Sequence, residues 1–365
     1  MTTVLIAGGG TGGHLMPALA IAAAIRTARP DARVMLVGAE RGVEAHLLPG
    51  RDIPFALLPA EPLYRREWWK NFRLPFTMRR VLREAGRLLD QERPDVVVGT
   101  GGYAAGPVVW LAARRGIPTA IQEQNAWPGL ASRRLAGVVR EVYLGVPEAR
   151  EALRIGRRTE VVETGNPITP PDLSPGYRAS AHSRFGLREG IPTLVVMCGS
   201  QGSLAINQEI AAWLDAGGGA GIQVLWAAGK ATAARFARYH GPPAVQVFEC
   251  LDPMADAWAV ADLAVCRAGM MTISELCAWG IPSILIPLPT AAADHQTPNA
   301  RVMADAGAAV HLPQHSLTPG MLGGEIRRIL DDEVFRTGLA KCALSRGKPT
   351  AASQIAARIL ALSDS

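Results

Sequence analysis

Short apolar segments that each lead into a glycine-rich loop and then a helix recur along this chain. Val4 to Ala7 precedes GGGTGGHLMP at 8–17, and Thr193 to Met197 precedes CGSQGS at 198–203. Continuous apolar runs are typical of parallel strands, because helices cover both faces of a parallel sheet. The pattern therefore predicts an α/β protein with doubly wound parallel sheets, which bind ligands at the carboxyl ends of their strands.

The pattern starts again after a connector, which predicts two domains. A chain of 365 residues is long for one core, and residues 156–192 contain the turn sequences NPITPP and SPG. We place an N-terminal domain at 1–163 and a C-terminal domain at 164–345. The remaining residues, 346–365, contain an amphipathic helix that we expect to pack back onto the first domain.

Composition restricts the partners and the compartment. The net charge of +6 favours acidic partners such as nucleotide phosphates or anionic lipid. The five cysteines are scattered and form no CxxC, which argues for a reducing compartment and against a zinc site. The N-terminus lacks the basic region of a signal peptide, and no apolar run reaches the ~20 residues of a spanning helix. We expect a soluble or peripheral protein.

The stretch from Arg267 to Asn299 carries the clearest ligand chemistry. An apolar strand, Leu263 to Cys266, precedes a helix that we expect to begin near Met271 and Thr272. A helix start offers unpaired N–H groups and partial positive charge, which suit a diphosphate. Glu275, just inside the helix, is placed to hold ribose hydroxyls. The alternative is a buried βαβ crossover with a helix-favouring glutamate.

Two further glycine loops lie in the first half. Gly8-x-Gly10-x-x-Gly13, with Glu40 after the next strand, formally matches the dinucleotide fingerprint, so a nicotinamide-dependent oxidoreductase is one alternative. We expect helices from about Pro17 and, after GTGGYAAGP at 99–107, from about Pro107. His14 lies at the first helix start, either facing a ligand or as a surface or capping histidine.

Residues 64–89 interleave aromatic and basic side chains. Trp68, Trp69 and Phe72 stand among arginines and Lys70, a mixture that suits a membrane interface with anionic headgroups. The alternative is an amphipathic core helix with a solvated basic face. A nucleic-acid patch is less favoured, because no nucleic-acid motif accompanies it.

Several motifs in a fixed order closely resemble those of the MurG family, glycosyltransferase family 28. They are GGTGGH at 9–14, GTGGYAAGP at 99–107, EQN at 123–125, GNP at 165–167, GSQG at 199–202, and RAG with TxSE and DxQxxN at 267–299. The resemblance implies the GT-B fold, in which two Rossmann-like domains face each other across a cleft. It also implies transfer of N-acetylglucosamine from UDP-GlcNAc to the lipid-linked acceptor lipid I, which gives lipid II.

The resemblance also implies roles for individual residues. His14 and Glu123 are candidate catalytic bases. The remaining candidates contact the acceptor or the donor: Thr11, Gly12, Gly13, Tyr103 and Asn125 in the first domain, and Ser200, Gln201, Gly202, Leu251, Met270, Met271, Thr272, Ile273, Ser274, Glu275, Gln296 and Asn299 in the second. Of these, Glu275 is expected on the ribose, Leu251 on the uracil, and Gln296 and Asn299 on the sugar hydroxyls.

The chain departs from the family pattern at four positions near these motifs. Gln122 replaces a histidine, Thr169 stands where an arginine is usual, Cys250 replaces a phenylalanine, and His295 precedes Gln296 where a second amide is common. These departures affect the expected donor contacts more than the reaction class. Arg267 or the helix dipole is a candidate replacement for the missing cation.

The implied reaction is an inverting displacement at the sugar C1 that needs no cofactor. No DxD-like motif stands beside the donor loop, so we expect no obligatory metal. The expected partners are UDP-GlcNAc, lipid I, the cytoplasmic face of the cell membrane and proteins of cell-wall synthesis, with no nucleic acid. Two alternatives remain beside the oxidoreductase: a related transferase that uses another lipid acceptor such as diacylglycerol, and a UDP-sugar-binding scaffold without activity.

Overall fold

The chain forms two compact units in a computed structural model that describes residues 2–62 and 68–364, with only the backbone of residues 68, 70 and 71. Unit 1 comprises Met1–Thr169 and Lys348–Ser365, and unit 2 comprises Pro170–Gly347. The assignment of acceptor and donor binding to domains divided after residues 163 and 345 stays a prediction.

Unit 1 contains a parallel sheet of seven strands. In chain order the strands are β1 Thr3–Gly8, β2 Arg33–Ala39, β3 Phe55–Leu58, β4 Val96–Gly101, β5 Thr119–Glu123, β6 Glu141–Leu144 and β7 Glu160–Val162. Their order across the sheet is β3-β2-β1-β4-β5-β6-β7. The central strands β1 and β4 pair from Val4 opposite Val96, and both are apolar and buried, as is typical of central parallel strands.

Unit 2 contains a parallel sheet of six strands. They are β8 Thr193–Met197, β9 Gln223–Ala227, β10 Val245–Phe248, β11 Leu263–Cys266, β12 Ser283–Leu285 and β13 Val310–His311. Their order is β10-β9-β8-β11-β12-β13. The predicted strands at 193–197 and 263–266 are confirmed, and so is the fold class of two doubly wound parallel sheets. The predicted cleft between the domains stays a prediction.

Helices cover both sheets. They are α1 Gly12–Ala28, α2 Glu44–Leu47, α3 Leu74–Glu92, α4 Gly102–Arg114, α5 Leu130–Leu135, α6 Pro175–Phe185, α7 Leu204–Asp215, α8 Ala233–Phe236, α9 Met254–Val260, α10 Met270–Trp279, α11 Gln296–Asp305, α12 Pro319–Asp331, α13 Glu333–Arg346 and α14 Ala351–Ser363. Short 3₁₀ segments occupy Trp68–Arg73 and Pro147–Ala152, among others.

The last helix, α14, packs into the core of unit 1. Ile355 and Ile359 are fully buried in the same apolar cluster as Ile21 and Ile25 of α1. Arg358 of α14 forms a bidentate ion pair with Glu141 of β6, with its Nε 2.7 Å and its Nη2 2.9 Å from the carboxylate oxygens. The apolar stripe and this pair together hold the C-terminal segment on unit 1.

Two helices begin earlier than the sequence predicts. The helix expected from Pro17 starts at Gly12, and the helix expected from Pro107 starts at Gly102. Pro17 and Pro107 are the sixth residues of their helices, so each lies inside its helix and removes one intrahelical hydrogen bond. A proline near the start of a helical segment therefore does not mark the first helical residue here, and the glycines before it form the end of a strand and the first helical turn.

Candidate functional site

Each unit has one point where the strand order reverses. In unit 1 this point lies between β1 and β4, and in unit 2 it lies between β8 and β11. Connections leave such neighbouring strands toward opposite faces of the sheet, which opens a crevice at their carboxyl ends. Most of the predicted ligand-binding segments lie at these two edges.

At the edge of unit 1 the two glycine-rich segments pack directly on each other. The Gly9 N–H donates to the Gly101 carbonyl at 3.4 Å, and a Cβ on Gly102 would overlap the Gly9 carbonyl oxygen. Tyr103 covers Gly10, where an added Cβ would lie 2.5 Å from its ring. Close backbone approach is thus the reason for several of these glycines.

His14 lies in the first turn of α1 at this edge. Its Nδ1 is 3.2 Å from the Thr11 hydroxyl, and its ring lies over Gly101, where an added Cβ would be 2.7 Å from the imidazole Cδ2. The Thr100 hydroxyl donates to the His14 backbone carbonyl at 2.9 Å. Local contacts from both glycine segments therefore fix the position of the imidazole, as a ligand-facing histidine requires.

Glu44 is a functional candidate that the sequence analysis missed. Its side chain is fully buried, and both carboxylate oxygens accept the Gly10 N–H at 2.9 Å, while Oε1 also accepts the Ala39 N–H at 2.6 Å. A Cβ on Gly9 or Gly42 would overlap this carboxylate, and a Cβ on Gly38 would overlap the Glu44 Cγ. The first glycine segment is therefore built around a buried acid. Glu44 already accepts the Gly10 N–H, which the phosphates of a dinucleotide would need. This argues against the interpretation as a dinucleotide-binding loop.

Glu123 and the loop that follows β5 form a closed hydrogen-bonded turn. Glu123 is buried, and its Oε1 accepts the Asn125 N–H at 2.9 Å and the Asn125 side-chain amide at 3.2 Å. Its Oε2 accepts the Gly129 N–H at 3.0 Å. With both oxygens engaged, Glu123 is suited to holding Asn125 and the loop rather than to removing a proton.

Beneath this loop lies a buried network of side-chain amides. Gln122 donates to Asn166 at 2.8 Å, and Gln124 donates to the Gln122 side chain at 2.5 Å and to the Thr100 carbonyl at 2.8 Å. Gln122, a departure from the family pattern, is therefore part of the interior of unit 1. The network links the EQN and GNP segments, a connection that the separate motifs did not indicate.

At the edge of unit 2, a cavity of about 340 Å³ opens between the loops after β8 and β11. Its lining consists of Met197, Cys198, Gly199, Gly202, Ser203, Arg267, Gly269, Thr272, Leu288 and Gln296. Burial raises the pKa of the Cys198 thiol to about 12, so no thiolate charge opposes an anion there. The cavity brings together three of the predicted donor-binding residues: Gly202, Thr272 and Gln296.

Arg267 supplies the positive charge of this cavity. Its guanidinium donates to the Ser203 hydroxyl at 2.6 Å and to the carbonyls of Ile286 and Pro287 at 3.2 and 3.0 Å. Among the ion pairs of the described residues, none includes Arg267. Burial lowers its pKa from the usual arginine value, as expected for a cation removed from water without a carboxylate partner. An anionic ligand would compensate this charge.

Helix α10 begins beside the cavity. The amides of Met270, Met271 and Thr272 precede the first intrahelical bond, which the Ile273 N–H makes to Gly269 at 3.1 Å. The side chains of Met270 and Ile273 are buried, so these residues offer a ligand only backbone groups. The helix start therefore has the N–H groups that the diphosphate prediction requires.

Glu275 lies further along α10, and its carboxylate is hydrogen-bonded to a tryptophan of α9. The Trp258 indole N–H donates to Glu275 Oε2 at 3.1 Å. Burial raises the pKa of the Glu275 carboxyl, and the hydrogen bond from Trp258 partly lowers it. One carboxylate oxygen is thus fixed by protein, an arrangement that suits recognition of hydroxyls by the other.

The remaining predicted donor contacts differ in how the structure places them. Gln296 lines the cavity, and its Oε1 accepts the Leu288 N–H at 2.9 Å. Asn299 is fully buried and donates to the Ala268 carbonyl at 3.1 Å, which favours support of the loop over contact with a sugar. Ser200 and Gln201 are exposed, and Leu251 is buried outside the cavity lining. Ser274 donates to the Met270 carbonyl at 2.8 Å.

The aromatic and basic segment lies partly outside the described residues, which exclude residues 63–67 and the Trp68 side chain. Where it is described, Trp69 and Phe72 are 55% and 72% exposed, and Phe76 of α3 is exposed as well. Later in the segment, α3 buries Val81 and Ala85, so residues 74–89 form the amphipathic core helix of the alternative interpretation. Membrane contact by the exposed aromatic side chains stays a prediction. None of the described helices is both long and apolar enough to cross a bilayer.

The described part of the chain contains no group of three or more His, Cys, Asp or Glu side chains arranged to hold a metal ion. The polar groups that the two edges offer a ligand are backbone N–H groups, the Arg267 guanidinium and polar side chains.

Comparisons with known proteins match both halves of the chain. The N-terminal domain model of glycosyltransferase family 28 matches residues 4–144, and the C-terminal domain model matches residues 193–355. A Salinibacter ruber protein is 40% identical over 99% of this chain and 97% of its own length. A Moorella thermoacetica protein is 38% identical over 98% of each chain.

Both relatives are named UDP-N-acetylglucosamine–N-acetylmuramyl-(pentapeptide) pyrophosphoryl-undecaprenol N-acetylglucosamine transferase. Among solved structures, Acinetobacter baumannii MurG is similar over 99% of both chains, with a TM-score of 0.78 and 28% identity. The likeness extends through both units and their sheet edges.

Proposed function

This chain belongs to glycosyltransferase family 28, and on that basis we propose that it transfers N-acetylglucosamine from UDP-GlcNAc to lipid I. The product is lipid II, a precursor of peptidoglycan. The observation that carries the proposal is the match of nearly the whole chain, at 36–40% identity, to relatives named for this reaction. The two sheet edges support it, since one offers a fixed imidazole and the other a cationic cavity at a helix start.

In this proposal unit 2 binds the donor. The N–H groups of Met270, Met271 and Thr272 and the Arg267 guanidinium face the diphosphate. Glu275 accepts hydrogen bonds from the ribose hydroxyls, and Gln296 holds a sugar hydroxyl. Negative charge develops on the UDP leaving group during transfer, so donors fixed in advance stabilise the transition state more than water does.

Unit 1 binds the acceptor and removes its proton. The 4-hydroxyl oxygen of the muramyl sugar attacks C1 of N-acetylglucosamine, the bond from C1 to the UDP oxygen breaks, and configuration inverts. His14 accepts the hydroxyl proton as general base. Tyr103 and Thr11 border the same edge, while Glu123 positions Asn125, so we assign the proton transfer to His14 alone.

The experiment that tests this function follows labelled N-acetylglucosamine from UDP-GlcNAc into a lipid I analogue with a short prenyl chain, with EDTA present. We expect product with this acceptor and none with diacylglycerol. Donor binding without product on either acceptor would contradict catalysis, and product on diacylglycerol alone would assign a different acceptor. Loss of product with EDTA, restored by a divalent cation, would add a metal requirement.

Arg267 is expected to act on the donor alone. Replacing it with glutamine removes the only charge that faces the diphosphate from the cavity lining. Hydrogen bonds to charged groups contribute roughly 1.5–3 kcal/mol, so the KM for UDP-GlcNAc should rise by about ten- to a hundredfold while the acceptor KM stays unchanged. Steady-state kinetics with each substrate varied in turn measures this difference.

Two variants make the Arg267 result interpretable. Arg235→Gln removes an exposed arginine from α8 and should leave the donor KM unchanged. Arg267→Lys keeps the charge but not the three hydrogen bonds. Full donor affinity in Arg267→Gln would contradict the assignment, whereas a defect that lysine does not reduce would indicate that the shape of the loop matters more than its charge.

We further propose that the protein is peripheral to the cytoplasmic membrane face and docks through Trp69, Phe72 and the neighbouring basic residues. Exposed aromatic side chains next to arginines can enter the interface while the cations meet anionic headgroups. The double variant Trp69→Ala/Phe72→Ala should co-sediment with phosphatidylglycerol vesicles at least about tenfold more weakly. Val334→Ala, which removes an 85% exposed apolar side chain from unit 2, is the control. Equal sedimentation of both variants would contradict this surface.

A further inference from the structure

A second cationic cavity lies in unit 1, on the side of the sheet that carries α5. It has a volume of about 520 Å³ and is lined by Leu130, Arg133, Arg134, Ala152 and Arg154. No carboxylate is among these lining residues, and the ion pairs of the described residues include none of the three arginines. Three guanidiniums around one cavity repel one another unless an anion enters it.

Arg133 shows how this cavity is constructed. Its guanidinium carbon lies 5.6 Å from the centre of the Trp127 ring, and its Nε is buried without a hydrogen-bond partner among the described residues. A buried N–H without an acceptor is costly, and an arginine stacked on an aromatic ring keeps its planar edge available for an oxyanion. The side chain is thus oriented while one of its donors remains to be satisfied.

The backbone also holds the two sides of the cavity together. The Gly156 N–H donates to the Ala136 carbonyl, just after α5, at 3.2 Å. A Cβ on Gly156 would overlap the Gly137 carbonyl. The segment with Arg154 is therefore fixed against the end of α5, which carries Arg134. A cavity with fixed walls is better suited to one defined anionic group than scattered surface arginines would be.

We propose that this cavity binds a carboxylate of the peptide stem of the acceptor, an inference that rests on the proposed function. Helix α5, which supplies Leu130, Arg133 and Arg134, begins immediately after the loop that Glu123 holds around Asn125. A peptide attached to the acceptor sugar ends in a carboxylate, and the guanidinium fork matches carboxylate geometry in two parallel hydrogen bonds. Arg134 and Arg154 are exposed, but Arg133 is half-buried and its Nε is fully buried. Lipid headgroups are therefore a less suitable match, because a bilayer is met by protruding side chains.

The test compares two soluble lipid I analogues that differ only in the peptide stem, one with free carboxylates and one with every carboxylate amidated. For the wild-type protein we expect the KM of the amidated acceptor to be about tenfold higher at equal kcat, as a charge-assisted hydrogen bond requires. Arg134→Ala and Arg154→Ala should each raise the KM of the free acid to a similar extent. Neither should change the KM of the amidated acceptor or of UDP-GlcNAc.

Arg157→Ala, which removes an exposed arginine from the turn before β7, is the matched control and should change none of these constants. Equal KM values for the two acceptors with the wild-type protein would overturn the inference and leave the proposed function intact. No transfer to either acceptor would overturn the proposed function itself, and the inference with it. Weaker binding of the variants to phosphatidylglycerol vesicles, with the free-acid KM unchanged, would assign the cavity to lipid and also overturn the inference.

Discussion

The alanine variant of His14 is expected to lose about two to four orders of magnitude in kcat, the usual contribution of a positioned general base. The imidazole is held between the Thr11 hydroxyl and the Gly101 backbone, so its removal leaves the attacking hydroxyl without a proton acceptor. The donor is proposed to bind to unit 2, and its KM should therefore remain within about twofold of the wild-type value. Initial rates of sugar transfer, together with equilibrium binding of UDP-GlcNAc, measure both quantities.

A matched variant separates the imidazole from its support. Thr11→Ala keeps the ring but removes the hydroxyl 3.2 Å from Nδ1, and it should reduce kcat by several-fold only, since one neutral hydrogen bond is worth about 1 kcal/mol. A decrease of less than tenfold in His14→Ala would indicate that His14 orients the acceptor and that another group accepts the proton. A large rise in the acceptor KM at unchanged kcat would indicate the same.

The sequence was sufficient to predict the central strands of both sheets. Each of β1, β8 and β11 contains a continuous apolar run that is followed by a glycine within three residues, and such runs have few alternatives in an α/β chain. The edge strands β7 and β13 were not predicted. Glu160–Val162 and Val310–His311 are too short to show a periodic pattern, and their strand geometry depends on pairing with a neighbouring strand.

The candidate site was predictable where chemistry follows from local geometry. The helix start after β11 needs only an apolar strand, a glycine and a helical segment, and α10 begins within one or two residues of the expected position. The separation of binding residues from supporting residues was not predictable. Glu123, Gln122 and Asn299 lie within or close to ligand-binding motifs, yet hydrogen bonds to distant backbone or side-chain groups commit them to the interior.

Glu44 shows most clearly why single motifs were insufficient. In GVEAHLL it has the appearance of an exposed helical glutamate, and only the fold brings it beneath Gly10. The glycines that make room for it come from separate parts of the chain: Gly9 follows β1, Gly38 lies in β2, and Gly42 lies in the turn after β2. Gly38 and Gly42, close to Glu44 in the sequence, were the available signal. They indicate a buried acid only when β1 and β2 are known to be neighbouring strands.

Glutamine at position 44 is expected to lower kcat/KM for the acceptor by about ten- to a hundredfold, because the first glycine segment carries His14. Both carboxylate oxygens lie 2.9 Å from the Gly10 nitrogen, so a carboxamide in either orientation places its NH₂ group against the Gly10 N–H. In one of the two orientations the Ala39 N–H loses its acceptor as well. A buried N–H left without an acceptor costs about 1–3 kcal/mol, and small displacements of a catalytic group reduce rates steeply. Transfer rates with acceptor and donor varied separately measure the effect, and the donor KM should not change.

The control is Glu40→Gln, which removes an exposed carboxylate just after β2 and should leave transfer unchanged. Urea unfolding separates positioning from general damage, since Glu44→Gln should lose about 1–3 kcal/mol of stability and still be folded at assay temperature. Glu44→Asp keeps the charge on a shorter side chain. It should recover part of the rate if the hydrogen bonds from the Gly10 and Ala39 N–H groups are what positions His14.

A folded Glu44→Gln protein with wild-type acceptor kinetics would show that the glycine segment holds His14 without this carboxylate. An equal loss in donor and acceptor kinetics would show instead that Glu44 only supports the fold.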